Sequence, residues 1–118
     1  MKIQLIGEPK IILSNPNSTH NYFAWPTVDR LRDGRIAVAA SGFRLEHICP
    51  MGKAVIAFSA DEGESYTPPI PVIDTTLDDR DGGLCPFGES GLILTSFNNA
   101  TAFQRTKAYA EPYALAYL

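Results

Sequence analysis

The sequence predicts an all-β protein built from antiparallel sheets that stack face to face, and three observations support this. Asp33-Gly34 stands between two β-prone runs, and this dipeptide is a strong signal of a hairpin turn. The runs 36–40 and 54–58 are almost continuously apolar, so a sheet that contains them must be covered on both faces. A faint internal repeat places Gly34 on a second glycine, Gly91, with a β-prone run after each.

The same signals place the elements in chain order. We expect an edge strand at 10–13 after an earlier β-prone run at 2–6, and a loop at 14–19. Prolines at 68, 69 and 71 confine the strand that contains them to a sheet edge, because proline cannot donate to a ladder. The remaining predictions are strands at 27–31, 36–41, 53–58, 67–73, 84–87, 92–97 and 113–118, a connection at 42–52, a charged loop at 74–83, and a loop or a short helix at 101–110.

Composition excludes several classes of protein. A net charge of −3 over 118 residues leaves no basic patch for nucleic acid and no basic amphipathic face for a membrane surface. The apolar run at the start is too short for a signal peptide, so we expect a soluble, cytoplasmic chain. Cys49 and Cys85 have neither a metal-binding spacing nor a disulfide framework, so two buried or half-buried free thiols are expected. The sequence predicts no metal and no cofactor.

The stretch from 59 to 66 predicts a self-contained turn between two strands. Asp61 can accept hydrogen bonds from the backbone ahead of it, and Gly63 can supply the positive φ that the reversal needs. Ser59 and Ser65 can bond across the turn, while the ring of Tyr66 can lie beneath it. These five residues are therefore assigned a structural role.

The spacing Ser-x-Asp-x-Gly-x-Ser-aromatic at 59–66 is similar to the Asp-box of sialidases and related β-propellers. An ordinary Asp/Gly hairpin without family meaning is the alternative. Together with the stretches 22–26, 33–36, 40–44 and 79–83, the box resembles the N-terminal portion of a sialidase-superfamily propeller over about residues 22–98. In that family the box is a structural turn placed away from the active site.

The resemblance implies a partial β-propeller over 1–118, with an N-terminal strand and loop at 1–21. A first four-stranded blade would occupy 22–74 and an incomplete second blade 75–118. A propeller of about six blades, each of about 40–50 residues, is several times longer than this chain. We therefore expect the chain to self-associate, or to be completed by the remainder of a longer propeller.

The resemblance also implies a glycan ligand, with an acidic sugar expected. Sialidases begin with a Phe-Arg-Ile-Pro stretch whose arginine grips the substrate carboxylate, and Ala24 stands at the corresponding position here. In a propeller, the segments 20–26, 42–52 and 74–83 converge on one face. The predicted catalytic residues are Glu46, His47 and Asp81, and the predicted substrate-binding residues are Trp25, Arg44, Asp79 and Arg80.

Each of these assignments has an alternative explanation in which the residue has no functional role. His47 can be an ordinary loop histidine, Arg44 with Glu46 a surface ion pair, and 79–81 a solvated run of charge. The family's tyrosine nucleophile has no assignable counterpart, because the tyrosines at 109, 113 and 117 fit a strand better. The predicted function is a sialidase-like glycoside hydrolase; the alternatives are a noncatalytic carbohydrate-binding or interaction propeller and a self-contained small β domain.

Overall fold

A computed structural model describes residues 7–99, and this part of the chain is all-β, as predicted. No helix in it is long and apolar enough to cross a membrane. The predictions for 2–6, 101–110 and 113–118, and for the tyrosines at 109, 113 and 117, lie outside the described residues. The strands are β1 (Tyr22–Arg30), β2 (Ile36–Arg44), β3 (Lys53–Ser59), β4 (Ile70–Ile73), β5 (Asp78–Phe87) and β6 (Gly91–Asn99).

The first four strands form one antiparallel sheet in the order β1-β2-β3-β4. Residues 37–40 and 54–57 are buried along both faces of the central strands, as the continuous apolar runs predicted. β4 lies at the edge, as predicted, but it begins at 70 and not 67, so Pro71 is the one proline within it and the prolines at 68 and 69 precede it. Its neighbour β3 is joined to it by the predicted turn at 59–66.

β5 and β6 form a second antiparallel pair that packs on one face of this sheet. Leu31, Ala37 and Ile56 form the core between them, and Leu84 and Leu92 pack against it from the second sheet. The two sheets approach closely in one place, because a Cβ built on Gly82 would lie only 2.9 Å from Cβ of Ala39. Small residues are therefore required at this contact.

Two predicted elements are wrong. Residues 10–13 form no strand; Ile12 and Leu13 instead line a cavity of about 190 Å³ with Phe23 and Val38, so they cover a face of the sheet. Burial of these apolar side chains against the sheet stabilises this position of the segment. The charged loop ends earlier than predicted, because β5 begins at 78 and not 84. The first charges of β5, those of Asp78 and Arg80, are paired inside the fold. A sequence pattern does not reveal this pairing.

The two cysteines are both free, as predicted. Cys49 is buried, whereas Cys85 is exposed, which corrects the expectation that both are at least half-buried. Cys85 belongs to the outer face of the second sheet, the face that no described strand covers.

The turn at 59–66 is closed by its own side chains. The Asp61 carboxylate accepts hydrogen bonds from Oγ of Ser59 (2.8 Å) and from the backbone N–H of Ser65 (2.9 Å), as well as from Oγ of Ser65. Oγ of Ser59 in turn accepts from the N–H of Gly63 at 2.8 Å, and Gly63 has a φ of +85°. The hydroxyl of Tyr66 would lie 3.3 Å from a Cβ at Gly63, so the ring approaches that residue closely.

This turn is expected to make stability depend on pH at the acid end. Hydrogen bonds from the Ser65 side chain, the Ser65 backbone and the Ser59 side chain lower the pKa of Asp61 to about 2. A carboxyl with a depressed pKa stabilises the folded state above its unfolded pKa, and this contribution disappears as the pH falls from about 4 to about 2. Asp61→Asn should therefore melt below the native protein at pH 6, with a gap that closes by pH 2.

Glu64→Gln is the matched control, because Glu64 lies in the same turn and its side chain is 84% exposed beside Lys10. Thermal melts followed by circular dichroism at several pH values measure the gap for both variants. A gap for Asp61→Asn that is constant with pH would contradict the role of the ionised carboxylate.

Candidate functional site

Trp25 is the centre of a cluster that joins three distant segments of the chain. The guanidinium carbon of Arg80 lies 4.3 Å from the centroid of the Trp25 rings, and that of Arg44 lies 5.1 Å away. The His47 ring meets Trp25 edge to face, with centroids 4.9 Å apart. Segments 20–26, 42–52 and 74–83 therefore meet around one aromatic side chain, and cation–π attraction helps to hold them together.

A β-bulge with a left-handed residue occurs in each of the three strands that reach this cluster. The bulges contain Trp25 (φ +53°) in β1, Phe43 (φ +53°) in β2 and Asp81 (φ +39°) in β5. Each non-glycine residue in this region of φ costs about 1–3 kcal/mol, and such strain concentrates at functional sites. In β2 the extra residue lets Ser41 and Arg44 point to the same side of the sheet, where they hydrogen-bond at 2.6 Å.

Arg44 and Asp78 form a fully buried ion pair at the base of the cluster. Nη1 and Nη2 of Arg44 donate to the two carboxylate oxygens of Asp78 at 2.6 and 3.0 Å, and both side chains are 0% exposed. The remaining donors of Arg44 reach Oγ of Ser41 and the carbonyl oxygens of Glu46 and His47. Arg44 therefore holds the 42–52 connection against β5, and its place is in the interior, not on the surface of a sugar-binding cleft.

Gly52 makes room for this pair. A Cβ built on Gly52 would lie 2.5 Å from Oδ1 of Asp78 and would also overlap Nη1 of Arg44. The Gly52 carbonyl accepts a hydrogen bond from the N–H of Asp79 at 3.0 Å, which joins the end of the connection to the start of β5. The glycine is needed here for space, since only a hydrogen fits beside the buried charges.

Asp79 is also committed to the interior. It is 0% exposed, and its carboxylate accepts from the N–H and the hydroxyl of Thr75 at 2.6 and 2.8 Å, as well as from the Asn98 amide. The structure therefore places Asp79 in a network that anchors the start of β5. Its acceptors are used within the protein.

Arg80 and Asp81 border the cluster above this base. Arg80 is 7% exposed, and its Nη1 donates to Oδ2 of Asp78 at 3.3 Å while the guanidinium packs on Trp25. Within the described residues, Nε of Arg80 and Oδ1 of Asp81 are buried without a hydrogen-bond partner. A buried donor and a buried acceptor left unpaired in adjacent residues are costly, and their presence needs a reason.

The outer rim of the cluster consists of side chains with accessible surface. Tyr22 is 37% exposed, and its ring centroid lies 6.2 Å from that of Trp25. His47 is exposed, while Trp25, Glu46 and Asp81 are half-buried. Of the predicted site residues, His47 and Arg80 contact Trp25, and Glu46 and Asp81 are their neighbours in the chain.

Asp78 and Tyr22 belong to the cluster but were not among the predicted site residues. Asp78 joins both arginines and also accepts hydrogen bonds from the N–H of Cys49 (3.4 Å) and the Asn99 amide (3.1 Å). One signal for it existed in the sequence: a third carboxylate directly precedes Asp79-Arg80-Asp81, more negative charge than a solvated loop needs. Tyr22 belongs to the aromatic stretch 22–25. The bulge in β1 changes the alternation of side chains between the two faces of the sheet, so the sequence pattern did not indicate which face Tyr22 is on.

The cluster is distinct from the cavities nearby. A cavity of about 270 Å³, lined by His20, Phe43, Met51 and Lys53 among others, lies beside the 42–52 connection and includes neither Trp25 nor Arg80. Among the residues that the structure describes, no three His, Cys, Asp or Glu side chains are placed to hold a metal ion.

Comparison of the chain with family models, curated proteins and solved structures finds no match.

Proposed function

We propose that this chain is part of a sialidase-like β-propeller that acts on glycans, with the exposed side of the Trp25 cluster as its share of the sugar-binding cleft. The observation that carries the proposal is the meeting of three segments at Trp25 through three strained bulges. Strain of this kind is retained where side chains must be aimed, and aromatic rings with a few placed polar groups are typical of ligand sites.

The arrangement of the sheets supports the propeller part of the proposal. A four-stranded antiparallel sheet spans 22–73, and the next hairpin stacks on its face, which is the relation between successive blades. The outer face of that hairpin exposes Phe87, Ile93 and Phe97 by about half or more. We expect an apolar face of this kind to be covered by another sheet, either from further chain or from a second copy.

In the hydrolytic form of the proposal, Glu46 and Asp81 supply the carboxyl groups and His47 a further proton carrier. His47 contacts Trp25, Glu46 precedes it in the chain, and Asp81 follows Arg80, which stacks on the same ring. Side chains of these types can exchange a proton with a bound sugar or with water. Arg80 is the guanidinium next to this rim, held in place by Asp78 and by the face of Trp25. Arg44 has only a positioning role, because it holds the 42–52 connection against β5.

The noncatalytic form has support of its own. Ala24 occupies the position where the resemblance implies an arginine, and Arg44 and Asp79 are sealed inside. A propeller that binds glycans without cleaving them needs only the aromatic rim and its hydroxyl acceptors. Incubating the chain with any glycan that it binds and measuring released sugar separates the two forms, because only the hydrolytic form loses release in Glu46→Gln or Asp81→Asn.

We expect Trp25→Ala to weaken glycan binding by about 2 kcal/mol, or about thirtyfold, because it removes the aromatic surface at the centre of the site. Glycan arrays identify the ligand, and calorimetry measures the affinity. Tyr22→Ala, at the rim, should weaken binding less and disturb the buried ion pair less. Phe87→Ala is the matched control, since Phe87 is 67% exposed on the other sheet. Equal affinity in all three variants would contradict the proposed site.

A further inference from the structure

We propose that the sugar recognised at the Trp25 rim is a neutral one, bound through its hydroxyl groups and its apolar ring face, and not a sugar acid. This inference rests on the proposed function, because it names the ligand class of the same site. It follows from how the charges of the cluster are already paired, and it departs from the acidic sugar that the sequence led us to expect.

Both arginines of the cluster are paired with one carboxylate, that of Asp78. Arg44 is fully buried and bound through two nitrogens to Asp78. Arg80 donates to the same carboxylate and stacks on Trp25, which covers one face of its guanidinium. A sugar carboxylate normally requires a guanidinium whose two N–H groups point outward. At the position where the resemblance implies such a group, the chain has Ala24.

The charge of the cluster as a whole is negative. Two guanidiniums, from Arg44 and Arg80, stand against four carboxylates, from Glu46, Asp78, Asp79 and Asp81. A sugar acid would bring a further negative charge to this partly buried region, where water and salt screen repulsion poorly. A neutral sugar avoids this repulsion.

The rim has the groups that a neutral sugar needs. Trp25 and Tyr22 offer aromatic surface to the C–H face of a pyranose ring, and Asp81 and His47 can accept or exchange hydrogen bonds with its hydroxyls. Nε of Arg80 and Oδ1 of Asp81 are a donor and an acceptor that both lack partners. A hydroxyl can accept from a donor such as the first and donate to an acceptor such as the second, whereas a carboxylate cannot donate.

Matched pairs of sugars test the inference directly. Methyl glucoside with methyl glucuronide, and methyl galactoside with methyl galacturonide, differ only in CH₂OH against COO⁻ at C6. Each is titrated into the 118-residue chain at pH 7, and binding is followed by the NMR shift of the indole N–H of Trp25, the single tryptophan. We expect the neutral member of at least one pair to bind about tenfold more tightly.

Asp81→Asn removes one carboxylate and leaves the Arg44–Asp78 pair intact, so the ratio should fall several-fold toward unity. Asp74→Asn is the control: it removes the same charge from a residue paired with Lys53 at 2.5 Å, which is not part of the Trp25 cluster, and the ratio should not change. Tighter or equal binding of the acids overturns this inference but leaves the proposed function standing. If no sugar of either class shifts the Trp25 signal, the proposed function fails and the inference fails with it.

Discussion

Asp78→Asn is expected to lower the free energy of unfolding by about 3–5 kcal/mol, because it breaks a buried ion pair. The substitution keeps the shape of the side chain but leaves two buried guanidiniums, those of Arg44 and Arg80, without their counter-charge. Arg44→Met should cost a similar amount, because it strips a fully buried carboxylate of its two shortest ion-pair hydrogen bonds. A loss of this size is a large part of the stability of a small domain.

Urea unfolding followed by Trp25 fluorescence measures these losses, since the tryptophan lies against both guanidiniums. The double variant should lose clearly less than the sum of the two single losses, because the partners interact directly. Arg30→Met is the matched control: Arg30 also pairs with a carboxylate, Glu62, at 2.6 Å, but both side chains are more than half exposed, so little change is expected. Strictly additive losses, or losses as small as that of the control, would refute the assignment.

Gly52→Ala is expected to be almost as damaging, with a loss of about 3 kcal/mol, although it adds a single methyl group. That methyl would overlap the Arg44–Asp78 pair, and neither charge can retreat without losing its partner. The same denaturant experiment measures the effect, and a blue or red shift of native Trp25 emission would report the displacement of Arg44 from its ring.

Gly88→Ala separates steric overlap from backbone conformation. A Cβ at Gly88 would meet nothing within 4 Å, but its φ of +62° is unfavourable for alanine, so a loss of about 1–2 kcal/mol is expected. Gly52→Ala should exceed it clearly. Comparable losses for the two variants would indicate that the space at Gly52 is not limiting.

The extent to which the sequence predicts the site differs from residue to residue. The convergence of 20–26, 42–52 and 74–83 was expected from the resemblance, and the contacts of Trp25 with Arg44, His47 and Arg80 bring these segments together. The different roles of the charged side chains were not predicted. Sequence treats Arg44 and Arg80 as equivalent ligands for an acid, whereas burial makes the first structural and leaves the second beside the rim.

The sequence by itself determined the features that depend on residues close together in the chain. The all-β class, the hairpin at Asp33-Gly34, the double-sided burial of 37–40 and the edge position of β4 all follow from residues that are neighbours in the chain. Turn geometry and apolar periodicity act over a few residues, so they can be read without knowing the fold.

Only the tertiary structure decided which charges are neutralised and where side chains point. Asp78 and Arg44 are 34 residues apart in sequence, and nothing local to either indicates that they are partners. The bulges at Trp25, Phe43 and Asp81 each insert one residue, which reverses the side-chain alternation beyond it and redirects the site. A charge that is buried loses its water and must be paired with an opposite charge. The partners for these charges meet only when the two sheets stack.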